Sequence, residues 1–216
     1  MLNLIRYIYH LATMANARSS GARVGKNVRL SATVKIKVSG GSSITISDEA
    51  IISPNCQIDA HGGSNIYIGP HVHLGDGVRV HAHHGANIII EEGCSFNYGV
   101  AVFALESIKI GKHSILGPHV YVSDHNHQFS RDDLIKNQGF DTHPVIIGSD
   151  VWLGIGVSVL KGACIGEGSV IAAGGLVNKT VPDYEVWAGI PAKKTGDRKY
   201  KEADANTSQP SPLSRS

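Results

Sequence analysis

Histidine is the residue type through which this sequence could carry out proton transfer or bind a metal. The chain has 12 histidines in 216 residues. Asp124, His125 and His127 stand together in the segment SDHNH. An imidazole can take a proton from a hydroxyl near neutral pH, and it is also a common metal ligand. A second histidine group precedes this segment and comprises His61, His71, His73, His81, His83 and His84.

A six-residue period marks the elements that must position these histidines. Aliphatic residues recur at every sixth position, and a second small or aliphatic residue often follows four positions later. This period fits neither an α-helix nor a long strand, but it is typical of short strands joined by tight turns in a solenoid. The first inward series is Val24, Leu30 and Ile36, and the last is Ile147, Leu153, Val159, Ile165, Ile171 and Val177.

The early coils are longer than the later ones. They repeat every 22 residues, which is an 18-residue coil plus a four-residue corner insert, as GGSSITIS, GGSNIYIG and HGANIIIE show. Counting by this repeat places Ser39, His61, His83 and Leu105 in one column, and the next coil, which is 20 residues long, brings His125 into the same column. Coils stack about 4.8 Å apart, so the histidines form a ladder toward His125. Surface stacking, an acceptor groove and a metal site all remain open for it.

The composition excludes several classes of protein. Charged residues make up 18% and the net charge is +2, which does not favour nucleic-acid binding. Cys56, Cys94 and Cys164 form no CxxC pair, so we expect a reducing, cytoplasmic location rather than a disulfide framework. The sequence contains no run of 18 apolar residues, so it predicts no membrane-spanning helix.

Three segments are predicted. Residues 1–20 are expected to form a helical cap, because Leu4, Ile8 and Leu11 fall at helical spacing; a helix lying on the inner face of the membrane also fits. Residues 21–195 form the solenoid, with an excursion loop at 126–144. Residues 196–216 are polar and unpatterned, which is typical of a flexible tail.

Four motifs resemble those of the hexapeptide-repeat acyltransferases. They are hexads of the pattern aliphatic–Gly–x–x–small–x, the segment SDHNH with its long loop, DVWLGIG, and the closing GIPAK. The resemblance covers residues 24–194 and is greatest to the galactoside, maltose and colanic-acid O-acetyltransferases. It implies an all-β, left-handed parallel β-helix, acetyl-CoA as donor, and a homotrimer with active sites between subunits.

The resemblance also implies roles for individual residues. His125 matches the catalytic base, and an acceptor hydroxyl would attack the thioester directly in a ternary complex. For acceptor binding, the candidates are Asn97, Asp124, His127, Trp152 and, from its place in the ladder, His83. For the coenzyme, they are Trp152, Gly154, Ala172, Ala173, Gly174, Lys179, Pro191, Lys193 and Lys194.

Plain structural readings compete with several of these roles. Asp124 is also a common turn residue, and Asn97 could simply point outward at a coil corner. The small residues could be needed only for steric fit at tight corners, and the lysines could be solvated surface charges. We expect O-acetyl transfer to a sugar or surface polysaccharide, without a metal. The alternatives are a γ-carbonic-anhydrase-like zinc enzyme, which the six-residue spacing of His119 and His125 does not resemble, and a non-catalytic structural β-helix.

Overall fold

The computed structural model describes residues 17 and 19–199. The helix predicted over 1–20 lies almost wholly outside the described residues, and the predicted tail lies outside them from residue 200 onward. Within the described part of the chain, no helix has the length and apolar character needed to cross a membrane.

The hexads form short strands, most of them two to four residues long, joined by tight corners. They are β1 (Arg23–Val24), β2 (Arg29–Leu30), β3 (Lys35–Val38), β4 (Ser43–Ile46), β5 (Ile51–Ile52), β6 (Gln57–Ala60), β7 (Asn65–Ile68), β8 (His73–Leu74), β9 (Arg79–Ala82), β10 (Asn87–Ile90), β11 (Ser95–Phe96), β12 (Ala101–Ala104), β13 (Ser107–Ile110), β14 (Ile115–Leu116), β15 (Tyr121–Ser123), β16 (His125–His127), β17 (Phe140–Thr142), β18 (Val145–Ile147), β19 (Trp152–Leu153), β20 (Ser158–Val159), β21 (Cys164–Ile165), β22 (Val170–Ile171), β23 (Leu176–Val177), β24 (Glu185–Ala188) and β25 (Lys193–Asp197). One 3-10 helix, Ile135–Asn137, lies in the loop between β16 and β17.

All of these strands except β16 and β17 build three sheets that wrap a single core, and the sheets are parallel apart from the last strand, β25. Sheet A contains β1, β4, β7, β10, β13, β18 and β21; sheet B contains β2, β5, β8, β11, β14, β19, β22, β24 and β25; sheet C contains β3, β6, β9, β12, β15, β20 and β23. Each coil contributes one strand to each sheet in turn. The molecule is therefore a left-handed parallel β-helix, as the sequence resemblance predicted.

The inward residues of the hexads stack in columns that run the length of the solenoid. Ile46, Ile68 and Ile90 stack on one another and are completely buried. Backbone bonds link successive coils, as between the Ser47 N–H and the Ile68 carbonyl at 2.8 Å. The second, small position is also buried, for example at Cys56, so such hexads direct two side chains inward.

The four-residue insert of the early coils widens the corner between sheets C and A. Gly40 has φ of 62°, and a Cβ there would come within 2.9 Å of the Gly62 backbone nitrogen of the next coil. A glycine meets both demands, since it tolerates positive φ and carries no Cβ. This explains why the GG pairs repeat with the period of the coil.

An antiparallel pair closes the C-terminal end of the solenoid. β24 continues sheet B, and β25 folds back along it. The Trp187 side chain is 7% exposed there. Beyond the strand, the Arg198 guanidinium donates to the Asp150 carboxylate at 2.7 Å. Ordered structure thus extends past residue 195, where the sequence analysis placed the end of the solenoid.

Candidate functional site

The SDHNH segment lies at the corner where the chain leaves sheet C. β15 ends two residues before His125, and β16 then pairs with β17 in an antiparallel hairpin that matches His125 with Thr142. The return strand is tied to the solenoid because the His143 N–H donates to the Asp124 carbonyl at 2.9 Å. The excursion predicted over 126–144 is therefore a hairpin that leaves and rejoins the solenoid at one corner.

Asp124 holds both this corner and the His125 ring. Its carboxylate is fully buried. Oδ1 lies 2.9 Å from the Leu105 N–H and 3.0 Å from His125 Nδ1, and Oδ2 accepts from the Glu106 N–H at 2.8 Å. The Ser123 hydroxyl lies 3.2 Å from the same Nδ1. Asp124 thus braces the backbone of the preceding coil and orients the imidazole, and is more than a turn residue.

The Asp124 contact fixes which His125 nitrogen carries the proton. A carboxylate only accepts hydrogen bonds, so Nδ1 must donate to it. In the neutral ring this leaves Nε2 with a free lone pair, the state that a general base needs. The side chain of His125 is 19% exposed, enough for a small group to reach it.

His125 lines a cavity of about 370 Å³ together with His83, Leu105, His127 and Phe140. The Phe140 ring lies 5.6 Å from the His125 ring, edge to face, and 4.6 Å from the His127 ring. The hairpin therefore supplies an apolar wall beside the proposed base. A cavity with apolar walls and a few polar groups is the usual form of a small-molecule site.

The strand register confirms the predicted histidine column. β6, β9 and β12 pair in register, so the residues that follow them, His61, His83 and Leu105, stack above one another. The His61 and His83 ring centroids are 6.1 Å apart, edge to face. His81 stacks on His83 at the same distance with an angle of 13° between the rings. Burial lowers the pKa of His81, because desolvation disfavours the imidazolium.

Other histidines have a structural explanation. His71, His84 and His119 occupy corner positions with φ of 57–60°, and histidine is among the residues enriched there. Among the described residues, no group of three or more His, Cys, Asp or Glu side chains is arranged to hold a metal ion. His119 and His125 lie at opposite edges of sheet C, so one chain does not bring them together.

Several of the residues predicted to contact the coenzyme lie at the other edge of sheet C, whereas Lys179 follows β23 at the edge that carries His125. Gly154 and Ala172 lie in successive coils of the corner between sheets B and C, linked by the backbone around Leu153 and Ile171. The GIPAK segment lies beside the same corner, as the Ala192 N–H donates to the Leu176 carbonyl at 2.7 Å. Trp152 is 55% exposed on the adjoining face of sheet B. Ala173 and Gly174 lie in the same corner between sheets B and C, and Pro191 belongs to the GIPAK segment beside it.

For some of these residues, packing between coils is enough to explain why that amino acid occurs there. A Cβ on Gly154 would lie 2.7 Å from the Ala173 backbone nitrogen, so coil stacking alone demands glycine there. A Cβ on Gly174 would meet open space, although φ is 68°. The predicted lysines differ as well. Lys194 forms ion pairs with Glu185 and Asp197, Lys179 lies over the Trp187 ring at 5.1 Å, and Lys193 is exposed.

Asn97 also lies at the coenzyme edge rather than beside His125. Its backbone N–H donates to the Leu116 carbonyl, and its side-chain oxygen accepts from the Tyr98 N–H at 2.8 Å. Asn97 is exposed. Within one chain, the structure therefore groups Asp124, His127 and His83 with His125, and it separates Asn97 and Trp152 from them.

Comparisons with known proteins agree with this architecture. Residues 144–179 match the family model described as bacterial transferase hexapeptide (six repeats). The chain carries the transferase hexapeptide repeat. Galactoside O-acetyltransferase from Lactococcus lactis subsp. lactis (strain IL1403) is 37% identical over 115 residues, 52% of this chain and 55% of that protein. Galactoside O-acetyltransferase from Escherichia coli (strain K12) is 33% identical over 97 residues, 45% of this chain and 47% of that protein.

The chain spans about half the length of the curated relatives it matches. Among solved structures, the polySia-specific acetyltransferase NeuO has a TM-score of 0.69 at 22% identity, over 86% of each chain, which shows the fold. A hexapeptide-repeat-containing acetyltransferase from Vibrio cholerae O1 biovar eltor, complexed with acetyl coenzyme A, has a TM-score of 0.53 at 26% identity, over 64% of this chain and 72% of that one. The resemblance to hexapeptide-repeat acyltransferases is thus confirmed.

Two features of the cavity were not predicted from the sequence. Phe140 reaches His125 only because β17 pairs with β16, and no period in the loop sequence announces that pairing. The bonds from Asp124 to the Leu105 and Glu106 amides cross from one coil to the next. The 20-residue step that follows the 22-residue coils had placed Leu105 in the His125 column, and this was the one available signal.

Proposed function

We propose that this protein is an acetyl-CoA-dependent O-acetyltransferase that acts on a hydroxyl of a sugar or surface polysaccharide. The observation that carries the proposal is the buried Asp124 carboxylate, which leaves His125 Nε2 as an acceptor beside a cavity. The match to galactoside O-acetyltransferases supports the acceptor class, and the acetyl-coenzyme-A complex of the Vibrio cholerae neighbour supports the donor.

The chemistry follows from the His125 geometry. An acceptor hydroxyl donates to Nε2, and the proton moves to Nε2 as the oxygen attacks the thioester carbonyl carbon. The Asp124 carboxylate stabilises the imidazolium that forms. When the tetrahedral intermediate collapses, the carbon–sulfur bond breaks and the imidazolium returns its proton to the departing thiolate of coenzyme A. Direct attack needs no acyl-enzyme, since the thioester is already activated.

A shared site between subunits of a homotrimer accounts for the separation of the candidate residues. His125 and the Gly154 corner occupy opposite edges of sheet C, and four residues of extended chain from Tyr121 to His125 span roughly 13 Å. The hairpin also exposes three large apolar side chains, Phe129, Leu134 and Ile135, which suit burial against a second chain. We propose that His125 of one chain faces Trp152 and Gly154 of the next across a threefold axis.

The base role is tested with His125→Ala. We expect transfer to fall about 10²- to 10⁴-fold, with acetyl-CoA affinity nearly unchanged, because the ring acts mainly in the transition state. The matched control is His71→Ala, which removes an exposed corner histidine and should leave both quantities unchanged. Acetyl transfer to a panel of sugars, followed by mass spectrometry, gives the rate. Near-normal turnover in His125→Ala would rule out the base.

The shared site is tested by mixing two inactive variants, His125→Ala and Trp152→Ala. If each site takes its base from one chain and its coenzyme wall from another, reassembled mixtures regain activity because some clefts receive both native residues. Lack of recovery despite proven subunit exchange, or full activity in a monomer, contradicts the trimer.

A zinc enzyme is the competing chemistry. It predicts stoichiometric zinc by elemental analysis and inhibition by chelators, whereas we expect chelators to have no effect. A cytoplasmic location, where acetyl-CoA is available, and contact of the N-terminal segment with the inner membrane face remain predictions from the sequence.

A further inference from the structure

A groove runs along the outer face of sheet C, away from His125 and toward the N-terminal coil. The cavity beside His125 and a second cavity of about 110 Å³ share His81 as a lining residue. The second cavity is lined by Lys35, Lys37, Gln57 and Asp59 as well. The two cavities therefore adjoin at His81 on the outer face of this sheet.

The groove is too long for a single sugar ring. The path from β15, next to His125, to β3, which carries Lys35 and Lys37, crosses β12, β9 and β6. Four steps between neighbouring strands amount to roughly 19 Å. A monosaccharide at His125 would leave most of this surface unused, whereas a chain of several sugars would cover it.

The charges along the groove have one predominant sign. Lys35 and Lys37 line the second cavity, and Arg79 lies beside it in register with Gln57. Asp59 is the only carboxylate among the described residues lining either cavity. Within residues 17 and 19–199, none of the three cations forms an ion pair. The Arg79 guanidinium instead lies 5.4 Å from the Phe103 ring centroid. Uncompensated cations along one path attract an anionic ligand.

Two imidazole nitrogens where the cavities meet lack hydrogen-bond partners. They are Nε2 of His81 and Nε2 of His83, and both are buried from solvent in the described structure. Buried polar atoms are seldom left without a partner, so each such atom needs an explanation. A small rotation of either ring toward the groove would let Nε2 pair with a hydroxyl or carboxylate of a bound sugar.

We infer that the acceptor is an extended anionic oligosaccharide that lies along sheet C from His125 to Lys35 and Lys37. This inference rests on the proposed function and names its substrate class. The lysines and Arg79 contact the carboxylates of acidic sugars, and the histidines contact ring faces and hydroxyls. One hydroxyl near the hairpin end is then held at His125.

Binding, rather than turnover, tests the inference without depending on the catalytic base. Fluorescently labelled hexasaccharides of galacturonate, hyaluronate and sialate are titrated with the full chain, each beside its carboxyl-reduced, neutral form, and anisotropy gives Kd. We expect at least one acidic hexasaccharide to bind about tenfold more tightly than its neutral form and its own disaccharide, with affinity falling as NaCl rises.

A pair of variants locates the groove. Lys35→Glu with Lys37→Glu should weaken binding of that acidic hexasaccharide by about tenfold or more, and should leave binding of the disaccharide unchanged. The control is Lys26→Glu with Arg29→Glu, which reverses two charges in the same coil outside sheet C. Circular dichroism confirms that both double variants fold.

Three results would overturn the inference: no acidic hexasaccharide binding more tightly than its reduced form, a disaccharide binding as well as the hexasaccharide, or equal losses in the two double variants. Failure of the proposed function looks different. In that case His125→Ala retains transfer, or wild type shows none, while the binding preferences stand unaltered.

Discussion

Replacing Asp124 with asparagine separates the two tasks of this side chain. Asparagine has almost the same shape, but one acceptor oxygen becomes an NH2 donor. If the NH2 replaces Oδ1, it faces His125 Nδ1 and the Leu105 N–H; if it replaces Oδ2, it faces the Glu106 N–H. Both orientations place donors face to face in a site with no access to solvent. We therefore expect Asp124→Asn to lower both stability and activity.

The magnitude follows from the bonds that are lost. A hydrogen bond to a charged group contributes about 1.5–3 kcal/mol, and a buried donor left without a partner costs about 1–3 kcal/mol. We expect a loss of about 2–4 kcal/mol, which for a chain of this size lowers Tm by roughly 4–16 °C. Activity should fall further, by about 10²- to 10⁴-fold, because an amide NH2 that faces Nδ1 favours the tautomer with its proton on Nε2, and a neutral amide does not stabilise the imidazolium.

Thermal denaturation followed by circular dichroism gives the first quantity, and the pH dependence of kcat for acetyl transfer tests the orienting role. The matched control is Asp183→Asn. The Asp183 carboxylate accepts a backbone bond from the Glu167 N–H at 2.8 Å, but it is exposed and distant from His125. The control should lower Tm by much less and leave kcat unchanged.

Two results would refute this reasoning separately. An Asp124→Asn Tm equal to that of wild type or of the control would show that the carboxylate does not brace the corner. A lowered Tm with kcat and its pH profile intact would show that His125 does not depend on Asp124 for its orientation.

Three further predictions concern coil packing, thiol reactivity and the C-terminus. Gly154→Ala should lower Tm even without coenzyme, by an overpacking cost of about 1–3 kcal/mol, because its Cβ meets the Ala173 backbone at 2.7 Å; an unchanged Tm would return this glycine to a purely ligand-related role. Burial raises the pKa of Cys56 and Cys94 to about 11, so native protein at pH 8 should not react there with iodoacetamide, and Tm should fall as pH rises from 9 through 11, where the folded state resists losing these protons. Peptide mapping and melts at several pH values check this. Removing residues 200–216, whose polar composition offers little to bury, should leave Tm and transfer unchanged in a side-by-side assay.

The repeat made the solenoid predictable because its inward positions admit few residue types. Aliphatic residues at every sixth position would not form one buried face on a helix or on a long strand. They do form inward columns when short strands stack coil upon coil, as Ile46, Ile68 and Ile90 do. The same count placed His61 and His83 in a column leading to His125. Coil length alone carries that information, since one coil advances each sheet by one strand.

The features that could not be predicted from the sequence depend on contacts that occur once and do not repeat from coil to coil. Phe140 covers His125 through the antiparallel pairing of a single hairpin, and Asp124 accepts bonds from amides 18 and 19 residues earlier in the chain. The pairing of Lys194 with Glu185 and Asp197 is of the same kind. The sequence shows that Lys194 carries a positive charge, but it does not show that this charge is already paired with carboxylates of the same chain.

The geometry of sheet C limits how a complete site can form. His125, the proposed base, stands at one edge, and the corner with Gly154 stands at the other. The hairpin does not bridge them, because the His143 N–H bonds back to the Asp124 carbonyl and Lys161 pairs with Asp141 at its base. The apolar side chains of Phe129, Leu134 and Ile135 in the hairpin are left exposed. In the proposed homotrimer, a second chain brings its Gly154 corner to His125, and the proposed groove along sheet C stays open at its N-terminal end for an acceptor longer than one sugar.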